Sequence, residues 1–194
     1  RIEAGSYILA TMATKGRLKL NNFNPKDLAL PLKLYKGMGL KIKKLSNSSY
    51  EIYCKTLKPI KKISTKEFPG YPTDLQAQLI ATQLKSGLKS KVVENIFENR
   101  FIHIPELRRF GANLSIKGKT VTIDKTSNLL GAEVMATDIR ASFSLIIAAM
   151  MSKGKTVINR IYHLDRGYED FDLKLKKCGV NLSLIHISEP TRRL

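Results

Sequence analysis

The sequence contains one pattern three times, and this repeat constrains the possible folds more than any other feature. A helical segment ends in a glycine, and a short run with β-strand character follows. The turn glycines are Gly16, Gly87 and Gly154, which are separated by 71 and 67 residues. Self-similarity at a nearly fixed period is the sequence signature of a repeated supersecondary unit. We therefore expect three related structural units.

A second helical segment follows in each copy and also ends in a glycine. These glycines are Gly39, Gly111 and Gly179, and their separations of 72 and 68 residues follow those of the first series. Glycine adopts the left-handed conformation that ends many helices without a steric penalty. Each unit is predicted as helix, strand, helix, strand. Residues 45–54 and 116–124 supply return strands with Ser, Asn and Gly turns.

The two helices of each unit differ in their polar faces. The first is apolar over most of its surface, as in the run of residues 145–149, and a helix without a polar face is buried. The second carries one charged face and is expected nearer the surface. Three buried helices surrounded by sheet predict an α/β domain.

The buried helices are predicted to start after three pairs of residues: Gly5 and Ser6, Thr73 and Asp74, and Thr137 and Asp138. Ser, Thr and Asp are preferred helix N-caps, so capping is the simpler interpretation of each acid taken alone. Free N–H groups and the helix dipole favour anions at such ends. If threefold packing brings the three ends together, they form one anion-binding face.

Three arginines lie in the second and third units, close to the predicted helix starts or before the last helix. Arg140 lies just after Asp138, Arg100 lies in the matching loop of the second unit, and Arg166 precedes the last helix. For a single arginine an exposed ion pair is the simpler interpretation. Together, the arginines and the acid-capped helix starts indicate a cleft that binds phosphate or carboxylate groups, because guanidinium groups bind planar anions with two hydrogen bonds.

The net charge of +18 permits two interpretations. One is a nucleic-acid-binding protein, and the other is a basic protein with a cleft for small anions. The basic residues are spread along the chain and many alternate with apolar residues, and no nucleic-acid-binding motif accompanies them. We favour the small-anion interpretation and predict no nucleic acid partner.

Metal-ligand spacing is absent from the sequence. The two cysteines, Cys54 and Cys178, form no CxxC pair, and the three histidines form no ligand pair. We predict no metal or other cofactor, two reduced thiols with Cys178 packed, and a cytoplasmic location. The longest apolar run, FSLIIAAMM, is too short to cross a bilayer, so no membrane partner is expected.

Several blocks of the chain resemble the UDP-N-acetylglucosamine enolpyruvyl transferases. They stand in the family's order and extend to about Leu182: RIEAGSYILA, FPGYPTDLQAQ, IFENRFIHIPELRRFGA, LLGAEVMATDIRAS and IYHLDRGYEDFDLKLKKCGV. The resemblance implies transfer of the enolpyruvyl group of phosphoenolpyruvate to the 3-hydroxyl of UDP-N-acetylglucosamine, with release of phosphate. This reaction is the first committed step of bacterial peptidoglycan synthesis, which supports cell wall growth, cell shape and division.

The resemblance also implies a fold, an inside-out α/β barrel of three βαβαββ-like repeats with buried inward helices. The family has two such domains that close on a cleft. Residues 1–182 would be the C-terminal domain, and the missing N-terminal domain would be its partner. That domain carries the family's general acid, a loop cysteine or aspartate, so we expect this chain alone to be inactive. Residues 183–194 do not continue the family pattern and are predicted to be a non-native tail.

The resemblance assigns the second unit to UDP-N-acetylglucosamine. Asp74 looks like the acid that contacts the 3-hydroxyl and is proposed as its base. Ile96 matches the position whose backbone meets the sugar nucleotide, and Arg100 resembles the cleft arginine of the same motif.

The resemblance assigns the third unit to phosphoenolpyruvate. Asp138 and Arg140 look like the pair at that site, with Arg140 on the anion. Arg166 resembles the arginine that closes onto phosphoenolpyruvate.

Three alternatives stay open at this point. An enzyme of the same fold adds enolpyruvyl to shikimate 3-phosphate (3-phosphoshikimate 1-carboxyvinyltransferase), but the blocks FPGYPTDLQAQ and LDRGYE resemble the sugar-nucleotide enzyme more closely. A non-catalytic basic module would bind nucleic acid with a steep salt dependence. The third alternative is a regulatory or decoy half-domain.

Overall fold

The computed structural model describes residues 1–184, and three buried helices form their core. These inner helices are α1 (Ile2–Ala13), α3 (Gln76–Gln83) and α5 (Ile139–Met151). Every residue of α3 is buried, as is the stretch of α1 from residue 5 to residue 13. The helices α1 and α5 carry apolar or small residues around most of their circumference, as the sequence predicted. In α3, by contrast, four of the eight buried residues are polar: Gln76, Gln78, Thr82 and Gln83.

The helices α1 and α3 run in the same direction. Near their starts the Gln78 side-chain amide donates to the Ser6 hydroxyl at 3.1 Å, and further along the Thr82 hydroxyl donates to the Leu9 carbonyl at 3.2 Å. The contacts advance together along both chains, so the two helices are parallel.

The helix α5 has the same orientation. Its early residue Phe143 packs edge-to-face on Tyr7 of α1, with ring centroids 5.4 Å apart. At the opposite end, Lys85, just beyond α3, donates to the carbonyl of Met151 at 2.5 Å. The starts of all three inner helices therefore lie at one end of the domain, as the threefold packing required.

The second helices lie outside this core. They are α2 (Ala29–Gly37), α4 (Ile104–Arg109) and α6 (Phe171–Lys177). Each buries one apolar side: Leu32 and Tyr35 in α2, for example, are buried, while the lysines of that helix are exposed. The predicted division into inner and outer helices is confirmed.

Within residues 1–184, nine strands complete the units. They are β1 (Arg17–Leu20), β2 (Lys41–Lys44), β3 (Tyr50–Tyr53), β4 (Lys62–Ser64), β5 (Ser90–Val93), β6 (Leu114–Lys117), β7 (Thr120–Ile123), β8 (Glu133–Met135) and β9 (Val157–Asn159). The sheets have the orders β1-β3-β2, β4-β5-β7-β6 and β8-β9. The pairs β4-β5 and β8-β9 are parallel, and all others are antiparallel. The middle unit shows the complete βαβαββ order, and its neighbours repeat parts of it.

Helix α1 starts earlier than predicted. It begins at Ile2, so Gly5 and Ser6 lie within the helix instead of preceding it. The glycine is needed there for close packing, because a Cβ atom on Gly5 would lie only 2.6 Å from Cδ1 of Leu75. The prediction mistook a packing glycine for a helix start.

Most of the predicted turn glycines do adopt a left-handed backbone. Gly87 and Gly154 both have φ of 90°, but at the end of α1 the left-handed residue is Lys15, with φ of 55°. The amide of Lys15 donates to Met12 and that of Gly16 to Thr11, which is the Schellman pattern with the glycine one place late.

Two further expectations concern the chain's surface and its end. Cys178 is exposed, so its prediction as a packed thiol is wrong. It lies beyond Leu175, the last buried residue of α6. Cys54 is buried. Within residues 1–184, no helix has the length and apolar character to cross a membrane. The predicted non-native tail lies, from residue 185 onward, outside the described residues.

Candidate functional site

A buried tyrosine marks the end of the domain where the inner helices start. The hydroxyl of Tyr168 lies 2.7 Å from that of Ser6 and accepts from Gln78 at 3.3 Å, which connects all three units. Burial raises the pKa of Tyr168 to about 12, and the nearby carboxylates of Glu3 and Asp74 add to the shift. Carboxylates of the first and second units therefore lie at this same end.

Asp74 is not a helix cap. It lies in a 3-10 turn, Thr73–Leu75, after Pro72, and α3 begins only at Gln76. Neither helix start receives a side-chain capping bond. The capping interpretation is therefore wrong for this residue. The Asp74 side chain keeps one-third of its surface exposed, and its Oδ1 lies 3.6 Å from Nη1 of Arg100.

Arg100 is held from several directions. Its Nη1 donates to the hydroxyl of Thr73 at 3.1 Å and faces the Asp74 carboxylate, while the guanidinium carbon lies 4.1 Å from the centre of the Phe97 ring. Cation–π contact of this kind orients a guanidinium group. The structure thus brings Asp74 and Arg100 together.

Ile96 joins this group through a residue that the sequence analysis missed. Its N–H donates to Oε1 of Glu94 at 2.9 Å, and the other oxygen of Glu94 accepts from the Thr73 hydroxyl at 2.8 Å. Glu94 is only 1% exposed. A detectable signal existed, since this carboxylate directly follows the strand β5 at a position facing the interior.

Asp138 does cap its helix, as predicted. Its Oδ1 accepts from the backbone N–H of Arg140 at 2.8 Å and of Ala141 at 3.0 Å, and the Arg140 Nε lies 3.3 Å away. The Nη1 of Arg140 is buried and has no hydrogen-bond partner within residues 1–184. A buried guanidinium donor without a partner is costly, so this atom suits an anionic ligand.

His103 is a second residue that the sequence did not single out. It lies at the start of α4 beside Asp138 and is 2% exposed. Burial lowers the pKa of His103 to about 4, although the charge of Asp138 acts in the opposite direction. The imidazole is therefore neutral at pH 7.

Arg166 belongs to neither of these contact networks within residues 1–184. It ends the 3-10 helix Ile161–Arg166 and is exposed, and its side chain makes no hydrogen bond or ion pair in the described part of the chain. This helix packs on the start of α5, where a Cβ atom on Gly167 would lie 3.1 Å from Cγ2 of Ile139. The site residues thus form two clusters, one around Asp74 and Arg100 and one around Asp138 and Arg140, with Arg166 separate.

A groove of about 480 Å³ adjoins the first cluster. Thr73, Asp74 and Ile96 line it, together with four basic side chains (Arg1, Lys26, Lys33 and Lys66) and two further acidic ones (Asp27 and Glu67), so basic groups outnumber acidic ones by four to three. Basic groups around a groove attract anions. No group of three potential metal ligands occurs in residues 1–184.

Comparison with known proteins places the chain in a family. A sequence profile of the EPSP synthase (3-phosphoshikimate 1-carboxyvinyltransferase) family matches residues 1–175. Curated relatives named UDP-N-acetylglucosamine 1-carboxyvinyltransferase are 48% identical in Pelagibacter ubique and 43% identical in Endomicrobium trichonymphae. Each alignment covers 96% of this chain and 44% of the relative. The chain therefore spans less than half the length of these proteins.

Solved structures of enolpyruvyl transferases have the same fold as this chain. The enolpyruvyl transferase NikO from Streptomyces tendae superposes with a TM-score of 0.82 and 25% identity, over 93% of this chain and 43% of NikO. EPSP synthase from Acinetobacter baumannii shares the fold, with a TM-score of 0.67 and 14% identity, over 91% of this chain and 45% of that one. With the profile match over residues 1–175, these findings show that the chain belongs to the EPSP synthase (3-phosphoshikimate 1-carboxyvinyltransferase) family of enolpyruvyl transferases.

Proposed function

We propose that this chain supplies one domain of an enzyme that transfers the enolpyruvyl group of phosphoenolpyruvate to the 3-hydroxyl of UDP-N-acetylglucosamine, releasing phosphate. The observation that carries the proposal is the pairing of Asp74 with Arg100 beside a basic groove, with Ile96 on the groove wall. The names of the relatives at 43–48% identity support the choice of substrates.

The chemistry divides between the two clusters. The reaction proceeds by addition and elimination through a tetrahedral intermediate. Asp74 accepts the proton of the sugar hydroxyl as its oxygen attacks phosphoenolpyruvate, because it is partly exposed and carries no helix-capping bond. Arg140 and Arg166 bind the phosphate and carboxylate of phosphoenolpyruvate, and guanidinium groups stabilise such charges in a closed cleft. The protonation of phosphoenolpyruvate falls to the partner domain.

Two alternatives receive less support. The matching family profile is named for the enzyme that acts on shikimate 3-phosphate. The sequence identity to curated sugar-nucleotide enzymes, however, reaches 48%, against 14% to the EPSP synthase structure. A nucleic-acid-binding module receives less support because the basic residues are spread along the sequence and no nucleic-acid-binding motif accompanies them.

The test is a graft of residues 1–184 into the Pelagibacter ubique relative, in place of the segment that they match. We expect phosphate release from phosphoenolpyruvate with UDP-N-acetylglucosamine and none with shikimate 3-phosphate. The separate 194-residue chain should show no turnover. Turnover with shikimate 3-phosphate instead would reject the proposed substrate.

The variant Asp74→Asn in the graft isolates the role of the acid. We expect kcat to fall by about 10²-fold or more, since an amide cannot accept the proton. Asp124→Asn is the matched control, because Asp124 forms only a surface ion pair with Lys89. Near-normal turnover in the Asp74 variant would remove this residue from the mechanism.

A further inference from the structure

Glu94 is a buried carboxylate without an ion-pair partner in the described part of the chain. It is 1% exposed, and four neutral groups donate to it. The donors are the Thr65 hydroxyl at 2.8 Å, the Thr73 hydroxyl at 2.8 Å, the Ile96 N–H at 2.9 Å and the Phe97 N–H at 3.2 Å. Burying a carboxylate is costly unless donors satisfy it, and here every contact is a donor to an acceptor-only group.

These donors come from segments that surround the Asp74 cluster. Thr73 immediately precedes Asp74, and Ile96 and Phe97 form the loop that leads to Arg100. The Glu94 carboxylate therefore joins the turn that carries the acid to the loop that carries the arginine.

The hydroxyl group of Thr73 connects Glu94 to Arg100. Thr73 donates its only hydroxyl proton to Glu94, so its lone pairs face Arg100, whose Nη1 donates at 3.1 Å. Glu94 also fixes the backbone of Phe97, and the Phe97 ring lies under the same guanidinium group. Two of the three contacts of Arg100, those with Thr73 and Phe97, thus depend on Glu94, and the third is the ion pair with Asp74.

The third unit supplies an internal comparison. The Thr65 amide donates to the Val93 carbonyl at 2.9 Å, and the Ala136 amide donates to the Asn159 carbonyl at the same distance. Thr65 therefore corresponds to Ala136, and the residue after Val93, Glu94, corresponds to Arg160.

The third unit retains neither Thr65 nor Glu94, the two residues that form the hydroxyl–carboxylate hydrogen bond in the second unit. Ala136 has no hydroxyl, and Arg160 is exposed. The same strand pairing forms there without a buried carboxylate, so the fold of a unit does not require one.

We propose that Glu94 is a positioning residue of the candidate site: through Thr73 and the loop at Ile96 and Phe97, its carboxylate sets the orientation of Arg100 opposite Asp74. The inference rests on the proposed function only for the identity of the ligand. The orientation of Arg100 follows from the contacts of the chain itself.

The test uses the 194-residue chain and two variants, Glu94→Gln and Thr73→Val. Glu94→Gln turns an amide toward groups that all donate. Thr73→Val removes the hydroxyl that joins Glu94 to Arg100 and leaves the other three donors to Glu94 in place. Glu106→Gln is the matched control, since Glu106 accepts the backbone N–H of Met135, forms an ion pair with Arg109 on its own helix and lies outside both clusters.

The first measurement is the side-chain mobility of Arg100 by nitrogen-15 NMR relaxation without ligand. We expect both variants to loosen the Arg100 guanidinium and the control to leave it unchanged. An unchanged Arg100 signal in both variants would overturn the proposal, whatever their stability.

The second measurement is binding of UDP-N-acetylglucosamine and of inorganic phosphate by calorimetry. We expect about tenfold weaker sugar-nucleotide binding in both variants, as for the loss of one hydrogen bond to a charged group, and unchanged phosphate binding at the Asp138 cluster. Equal weakening of both ligands would indicate a general structural role and contradict the positioning role. If the unsubstituted chain does not bind UDP-N-acetylglucosamine, the proposed ligand fails, and the Arg100 signal still decides the role of Glu94.

Discussion

Replacing Asp138 by alanine should destabilise the domain by removing the cap of α5. Two backbone N–H groups, those of Arg140 and Ala141, donate to Oδ1 at 2.8 and 3.0 Å, and the alanine leaves both without this acceptor. Loss of an N-cap side chain costs about 1–2 kcal/mol. The ion pair with Arg140 rests on one contact of 3.3 Å, between Nε and Oδ1, so we expect the lost cap to dominate this cost. For a domain of this size the melting temperature should fall by about 3–6 °C.

The variant Asp138→Asn separates the cap from the charge. Asparagine caps helices as well as aspartate does, so its amide oxygen can accept the same two N–H groups. We expect Asp138→Asn to melt within about 1 °C of the unsubstituted chain. Thermal unfolding followed by circular dichroism measures both variants. Asp124→Ala controls for the loss of a partly exposed carboxylate that forms an ion pair but caps no helix. Equal destabilisation by alanine and asparagine would refute the capping argument, because it would show that the charge is what stabilises α5.

Two further predictions concern stability. His103 has a pKa of about 4 in the folded chain against 6.5 for a free histidine, so the unfolded state binds the proton first as the pH falls. The free energy of unfolding should therefore decrease by about 3 kcal/mol between pH 7 and pH 4. Urea titrations of the His103→Phe variant should lack this decrease. The same pH dependence in both proteins would contradict the prediction. Gly5→Ala should cost about 1–3 kcal/mol by forcing its Cβ against Leu75. Thermal unfolding of both single variants and the double variant should show that Gly5→Ala costs less when residue 75 is already alanine. No loss in the Gly5→Ala single variant would mean that the helices can move apart.

The fold was predictable wherever the signal was local. The glycine spacing marked the ends of the helices because a left-handed residue is needed there, and Gly87 and Gly154 take that role. The buried helices α1 and α5 were visible because their residues are apolar or small over most of the surface, whereas α3 also buries polar side chains such as Gln78 and Gln83. The prediction failed at Gly16 by one residue, since Lys15 took the left-handed position, and at Gly5, where the requirement comes from Leu75, far away in sequence.

The candidate site was less predictable because its arrangement depends on contacts between segments. The sequence supplied Asp74 and Arg100 as separate residues but not their distance of 3.6 Å. Glu94 escaped notice because one buried carboxylate shows its role only when its donors, from three stretches of chain, are known. Arg166 was expected with the other arginines, yet the structure holds it on a separate 3-10 helix.

The two Thr-Asp pairs show how the same dipeptide serves different ends in a repeated fold. Asp138 directly precedes α5 in extended conformation, so its Oδ1 accepts two helix N–H groups. In the second unit, Pro72 leads into a 3-10 turn, and this turn moves the start of α3 two residues beyond Asp74. Asp74 is thereby released from capping, while Glu94 binds the neighbouring Thr73 and so keeps Arg100 beside the acid. Of the two acids, we therefore expect Asp74 to accept the substrate's proton and Asp138 to fix the helix that presents Arg140.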